Sequence, residues 1–331
     1  MLSKEKLKAA VIGAGKMGLV HASILNTLPD IELMAFCDKS ALIRRFLAGI
    51  VGKNRVFADV ERLLDLDVDI IYVTTPIPSH YFVVKEVYSR SRSVNVFVEK
   101  TLASNYDDSL KLCELSLGSK GLDMVGYMKR FGVTFQKARE LLSQDAVGQI
   151  SSFRAHAYSS DFFGVKEDSK MPSNRGGVLS DLGSHVIDLA LWLFGDFEVQ
   201  SAGQPGLTDI QNTVNFNVSN HDQIEGTFDV SWCKEGYHVP EFGLSIQGSK
   251  GKIKVDDDVV KFETSSAGSF HWRKHDLKDN VGFLLGAPEY YREDDYFVKS
   301  ILSGNGAQSN FSSASKVDYI IGKVTGGTSA N

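Results

Sequence analysis

Residues 8–18 read KAAVIGAGKMG: a short apolar run meets a glycine-rich turn, and a helical pattern opens immediately after it. Few folds tolerate that order. The run is short enough to be a buried strand. Gly13 permits a tight turn, Gly15 lets the backbone approach a ligand, and Gly18 lets the following helix pack close to the strand. The same alternation then repeats. Apolar runs at 31–38, 68–75, 94–100 and 121–128 are separated by helical patterns at 16–28, 40–50, 59–65, 79–92 and 105–117. Strand and helix in alternation predict right-handed crossovers and a parallel sheet covered on both faces.

Past residue 130 the pattern changes. Residues 133–145 read as a helix, and QISSFRAHAYSSD (149–161) alternates like a half-buried strand. A polar loop, 162–177, leads into the apolar segment GGVLSDLGSHVIDLALWLFG (176–195). Strand-like runs follow at 213–219, 223–232, 241–248, 252–256 and 259–264, with turn-like breaks at GSKG and DDD. The chain has 331 residues, 43% of them hydrophobic, enough for two cores. The expected fold is α/β: residues 1–128 form a nucleotide-binding domain with a parallel sheet. Residues 129–331 form an α+β domain with a large, mainly antiparallel open sheet covered by helices on one face.

The glycine-rich turn has the context of a dinucleotide site, with Gly13, Ala14, Gly15, Lys16, Met17 and Gly18 meeting a pyrophosphate at the helix N-terminus. Asp38 ends the second strand. A carboxylate there accepts hydrogen bonds from the adenosine ribose and repels a 2′-phosphate, which favours NAD. Lys39, Arg44 and Arg45 are near enough to accommodate a phosphate, so NADP stays open. Ligands of open α/β sheets bind at the carboxyl ends of the strands. Thr75, Pro76 and His80 of TTPIPSH and Glu99 and Lys100 of VEK lie there and are cofactor-site candidates.

In the segment 176–195, Asp181, His185 and Asp188 interrupt an apolar run. At about 100° per residue they share one face, while Leu179, Leu182, Val186, Leu189 and Leu193 form another. One side of this helix is expected to pack and another to present chemistry. Histidine exchanges a proton near neutral pH, which suits the hydroxyl of a reacting alcohol. Tyr127, Arg130, Tyr158, Asn174 and Arg175 sit in or beside loops, and their side chains suit hydrogen bonding to a polyhydroxylated ligand.

A formal net charge of −5 argues against a general polyanion-binding surface, and no nucleic acid is expected. The three cysteines are far apart without metal-ligand spacing, and read as buried thiols of a reducing compartment. The N-terminal apolar stretch is short and broken by glycines, unlike a secretory signal. No run reaches the roughly 18 apolar residues of a membrane span. The expected location is the cytoplasm, with no membrane partner.

Taken together, the Gly-rich loop, TPIPSH, Glu99-Lys100, GYMKRF (126–131), GGVLSDLGSHVIDLALWLFG and SIQGSKGKIKV (245–255) resemble the Gfo/Idh/MocA oxidoreductase family, the glucose–fructose oxidoreductase and inositol dehydrogenase group. The GG…DxGxHxxD…WLxG segment is its most specific part. The resemblance implies a Rossmann domain followed by an α/β domain whose open sheet joins subunits into a homodimer or homotetramer. It also implies a catalytic group of Lys100, Asp181 and His185. Substrate then lies between the domains, where Lys100 stabilises a developing alkoxide and His185 moves the proton. Asp181 orients the imidazole or holds a neighbouring hydroxyl.

The chain departs from the family pattern in three places. Thr101 replaces the common proline after Glu-Lys; a non-proline cis bond costs about 2.5–4 kcal/mol, so the backbone presenting Lys100 is expected to differ. Ile77 replaces a common asparagine, and the terminal helix looks short. The leading expectation is an NAD(P)-dependent dehydrogenase of a sugar, sugar nucleotide or cyclitol. The alternatives are a cofactor-retaining lyase or glycosidase that oxidises transiently, and a non-catalytic dinucleotide-sensing regulator.

Overall fold

The computed structural model describes residues 5–164, 176–202, 212–264, 268–277, 281 and 287–326. The chain divides into two compact units: residues 1–127 with 290–318, and residues 128–289 with 319–331.

The first unit is built on strands β1 (Leu7–Ile12), β2 (Ile31–Cys37), β3 (Val56–Phe57), β4 (Ile70–Val73), β5 (Asn95–Glu99) and β6 (Asp123–Gly126). They form one sheet in the order β3-β2-β1-β4-β5-β6. Every pairing is parallel. Helices α1 (Lys16–Leu25), α2 (Ala41–Val51), α3 (Val60–Leu63), α4 (His80–Arg90) and α5 (Tyr106–Leu117) connect them. Ala9 to Val11 and Ile70 to Val73 are wholly buried. Such strands carry no alternation because helices cover both faces. Strands β2, β4, β5 and β6 each stop one or two residues before their apolar runs do. β4 ends at Val73, so Thr74 and Thr75 leave the sheet, and β5 ends at Glu99, so Lys100 stands just beyond it.

The second unit begins with α6 (Val133–Ser143) and β7 (Ile150–Tyr158), and continues through α7 (Ser184–Phe194). Strands β8 (Glu198–Ala202), β9 (Thr213–Ser219), β10 (Glu225–Ser231), β11 (Glu241–Gly248), β12 (Gly251–Asp256), β13 (Val259–Thr264) and β14 (Gly268–Arg273) complete it. The sheet runs β14-β13-β12-β11-β7-β10-β9-β8. All pairings are antiparallel except β7 with β10. Phe153, Ala155 and Ala157 of β7, Phe228 and Val230 of β10, and Leu244 and Ile246 of β11 point to one buried face. Helices α6 and α7 pack on strands of this sheet. Arg154, His156 and Tyr158 alternate onto the open face.

Two more helices, α8 (Pro288–Ser303) and α9 (Phe311–Thr325), close the described chain. The expected short terminal helix is therefore 15 residues long. α8, with 16 residues, has no counterpart among the helices expected from sequence. Its pattern PEYYREDDYF hides the core face, because Glu293 and Asp294 are both fully buried. Among the described cysteines Cys37 is buried while Cys113 and Cys233 are half-buried, and all are free thiols. Burial pushes the Cys37 thiol up to about 11. No helix among the described residues is long and apolar enough to cross a membrane.

Candidate active site

At the carboxyl end of the first sheet the glycine-rich turn is held from three sides. Gly13 has φ of +96° and donates its N–H to the Cys37 carbonyl at 2.8 Å. A Cβ there would lie 2.7 Å from the Thr75 nitrogen, so only glycine fits. The Thr74 hydroxyl donates to the Gly13 carbonyl at 2.6 Å. At Gly18 a Cβ would collide with that same carbonyl oxygen. Gly15 differs, because a Cβ on it would meet nothing within 4 Å. The space over Gly15, at the start of α1, is open to a ligand. Ala14 is buried, Met17 half-buried and Lys16 exposed at the first turn.

Asp38 organises the adjoining edge. Its Oδ2 accepts the Ala14 N–H at 2.8 Å and its Oδ1 the Ser40 N–H at 2.7 Å. Arg44 does not face outward as a phosphate clamp; its Nη1 donates to the carbonyls of Asp38 and Lys39 at 2.8 and 2.7 Å. The Thr75 hydroxyl oxygen is buried without a hydrogen-bond partner among the described residues. An open glycine cradle at a helix N-terminus, a carboxylate at the end of the adjoining strand and an orphaned hydroxyl at a strand end together fit a dinucleotide.

His80 braces the next two loops. Its Nδ1 lies 2.8 Å from the Thr101 carbonyl oxygen and its Nε2 2.7 Å from that of Thr75. Burial lowers its pKa against the opposing pull of those carbonyls. Pro76 precedes the short turn at Ile77–Ser79 that leads into His80. The Lys100–Thr101 peptide bond is cis. Lys100 is half-exposed, and its N–H donates to Glu99 Oε2 at 3.1 Å.

Glu99 has partners that sequence reasoning did not reach. Its Oε1 lies 2.9 Å from His21 Nε2, and the other ring nitrogen of His21 lies 2.8 Å from Asp294 Oδ1. His21 comes from α1 and is wholly buried; Asp294 comes from α8. Burial alone would lower the His21 pKa, but Asp294 first and Glu99 second hold it well above the usual histidine range. The same pairing holds the Glu99 carboxyl below its ordinary value in spite of burial. These partners are separated by 78 and 273 residues, a pairing that no local pattern announces.

In the second unit the helix carrying Asp181 and His185 is irregular. Residues Leu179–Gly183 form a π-helical turn that runs into α7. Such wide turns recur at functional sites. Asp181 is half-buried on it, and His185, on the first turn of α7, is 5% exposed. The His185 ring meets Phe242 of β11 edge-on, with centroids 5.0 Å apart. Lys129 Nζ stands 4.7 Å from the same Phe242 ring and 2.6 Å from Asp257.

The expected division of this helix into a packed and a chemical face holds only in part. Leu179, Leu182, Val186 and Leu189 are buried as expected, but so is Asp188, which is wholly inaccessible. Asp188 takes the Arg130 guanidinium in a two-pronged pair at 2.8 and 2.6 Å. A buried charge needs such a partner, so the pair explains an acid inside an apolar helix. Arg130 is 3% exposed.

Tyr127, wholly buried, ends the first unit. Tyr158 is on the open sheet face, where its hydroxyl donates to Asp229 and its ring stacks on His156. It does not share the face that carries α7. Asn174 and Arg175 lie outside the described residues. Lys100 belongs to the first unit, and Asp181 and His185 to the second. Among the described residues no group of three or more His, Cys, Asp or Glu side chains is placed to hold a metal ion.

Known proteins match along most of the chain. Residues 7–127 match the oxidoreductase family with an NAD-binding Rossmann fold, and residues 135–254 match the GFO/IDH/MocA C-terminal domain. An inositol 2-dehydrogenase of Rubrobacter xylanophilus is 31% identical over 266 residues, 76% of this chain and 72% of its own. An uncharacterized oxidoreductase of Schizosaccharomyces pombe, C26H5.09c, is 28% identical over 194 residues; the match spans 57% of this chain and about half, 52%, of that protein. Levoglucosan dehydrogenase, solved with NADH and levoglucosan, superposes with a TM-score of 0.86 at 18% identity, covering 98% of this chain and 97% of that one. Two family domains in the family's order, on a parallel sheet with a glycine cradle and a mostly antiparallel sheet with the DxGxH helix, make this chain a member of the Gfo/Idh/MocA oxidoreductase family.

Proposed function

We propose that the protein is an NAD-dependent dehydrogenase that oxidises or reduces one secondary alcohol of a sugar or cyclitol. The observation that carries this reading is the survival of the complete set, Lys100 beyond β5 together with Asp181 and His185 on one helix, in a chain whose glycine cradle is intact. Bound NAD supplies the hydride acceptor. His185 Nε2 takes the hydroxyl proton as the alcohol is oxidised and returns it in reduction. Asp181, one turn earlier, orients the substrate by accepting from a neighbouring hydroxyl. The Lys100 ammonium donates to the reacting oxygen and stabilises the charge that develops on it. Tyr127 and Arg130 serve this site through packing and through the buried pair with Asp188.

Asp38 supports NAD over NADP. Its carboxylate is fixed at the end of β2 by the Ala14 and Ser40 N–H groups, and Arg44 is committed to the backbone carbonyls of Asp38 and Lys39. The test is a screen of aldoses, cyclitols and nucleotide sugars with both cofactors, followed by nicotinamide absorbance. Reduction of NAD with at least one polyol is expected. His185→Ala should lower turnover by about 10²–10⁴-fold, the range of general acid–base catalysis, with cofactor affinity nearly unchanged. Product formed without net cofactor reduction would replace this reading with the cofactor-retaining one. Subunit pairing through the open sheet face belongs to the same proposal.

A further inference from the structure

We propose that His21 is a positioning residue for Lys100: clamped by Asp294, it holds Glu99, and Glu99 holds the backbone of the turn that presents the ammonium. The inference rests on the reading of Lys100 given above. Its basis is a continuous chain of contacts inside one unit. Asp294 Oδ1 and Oδ2 lie 2.8 and 3.0 Å from His21 Nδ1. His21 Nε2 lies 2.9 Å from Glu99 Oε1, and Glu99 Oε2 accepts the Lys100 N–H at 3.1 Å.

The chemistry of these partners decides the state of the ring. Both nitrogens face carboxylates, which only accept, so both must donate, and an imidazole that donates twice is a cation. The surroundings magnify the attraction. The His21 ring is flanked by Phe97 at 5.0 Å, Tyr72 at 5.5 Å and Tyr290 at 5.9 Å, and nothing of it reaches solvent. Charges paired in such an interior attract strongly, and a buried partner left alone is costly. Glu99 therefore cannot swing away from His21 without leaving its own carboxylate and one His21 N–H unanswered.

The clamp also joins elements with separate duties. His21 is on α1, whose N-terminus carries the glycine cradle, and Glu99 is the last residue of β5. Asp294 lies on α8, the helix that returns to the first unit late in the chain. One imidazolium thus fixes the Lys100 turn relative to the helix at which the dinucleotide phosphates bind. Sequence makes Glu99 a cofactor-site candidate beside Lys100; this contact chain assigns it instead to the turn that carries Lys100.

The test reads Lys100 itself. The full-length protein is acylated with limiting acetic anhydride, and mass spectrometry compares the rate at Lys100 with the rates at the exposed Lys53 and Lys120. His21→Gln, Asp294→Asn and Glu99→Gln should each change the Lys100 rate, relative to those two lysines, by at least about threefold. His21→Gln, which keeps one donor, should change it less than His21→Leu. A purely structural role would lower the melting temperature and leave the relative rate unmoved. Should the variants not fold, the wild-type ring decides: nitrogen spectra of histidine-labelled protein should show both His21 nitrogens protonated at neutral pH. An unchanged Lys100 rate in folded variants, or a singly protonated His21, overturns the proposal. NADH should also protect wild-type Lys100 from acylation. Loss of that protection alone would overturn the catalytic reading of Lys100 and leave the clamp standing.

Discussion

A buried charge persists where a specific partner answers it, and removing one partner should cost far more than removing both. Asp188 and Arg130 are 0% and 3% exposed and share a two-pronged contact. Asp188→Asn would strand the guanidinium and should destabilise by about 3–5 kcal/mol, whereas Asp188→Leu with Arg130→Met should recover much of the loss. Urea unfolding of the single and double variants checks this. Asp318 behaves differently. It accepts from the Ser109 hydroxyl and the Ala103 N–H, with no cation beside it. Burial raises its carboxyl from 3.8 to about 7. The folded state therefore holds this proton more tightly than the unfolded chain does. Stability from it is full below the unfolded pKa and is lost as pH rises through about 7. Asp318→Asn mimics the protonated form. Its melting temperature should match wild type only below about pH 3.8, exceed it by an increment that grows up to about pH 7, and keep that increment above it.

At the scale of elements, the strand–turn–helix at β1 and α1 makes a sharp distinction between two of its glycines. Gly13→Ala meets both a positive φ and the Thr75 backbone, so it should damage folding and cofactor binding together. Gly15→Ala meets nothing within 4 Å. It should leave the melting temperature of the cofactor-free protein unchanged while weakening NADH binding by about tenfold or more, an energy of about 1.4 kcal/mol. Fluorescence titration with NADH and thermal melts separate the two cases. The elements themselves were largely legible. β9, β11 and β13 coincide with the runs read from sequence, and the parallel strands declare themselves as uninterrupted apolar runs. The signal failed where burial is polar. α8 hides Glu293 and Asp294 in its core face, so its periodicity is broken, and α7 conceals Asp188 in the same way.

At the scale of the molecule, the family and both sheets could be read from local patterns because strand alternation and the glycine turn are local physics. The clamp on Glu99 could not, since His21 and its partner Asp294 come from an early helix and a late one, far from Glu99 in sequence. The open face of the second sheet is a molecular-scale feature as well. It offers Arg154, His156, Tyr158, Asp229 and Glu241 on adjacent strands. If copies pair through it, as proposed, sedimentation should give a dimer or tetramer. Thr227→Glu with Ser245→Glu, on the two strands that flank β7, should then shift the protein towards monomer without altering its near-ultraviolet circular dichroism. An unchanged sedimentation coefficient would place the contact elsewhere.

The π-helical turn at Leu179–Gly183 has a consequence for how such a helix can diverge. A turn of this kind carries one residue more than a regular α-turn, as if a single codon had been inserted without breaking the rod. Excising Ser180 would let the backbone close into an ordinary spiral that makes the same revolution with one residue fewer, so the helix on either side would keep its bearing. A one-residue deletion would thus remove the widened turn that carries Asp181 while leaving the buried side of α7 undisturbed.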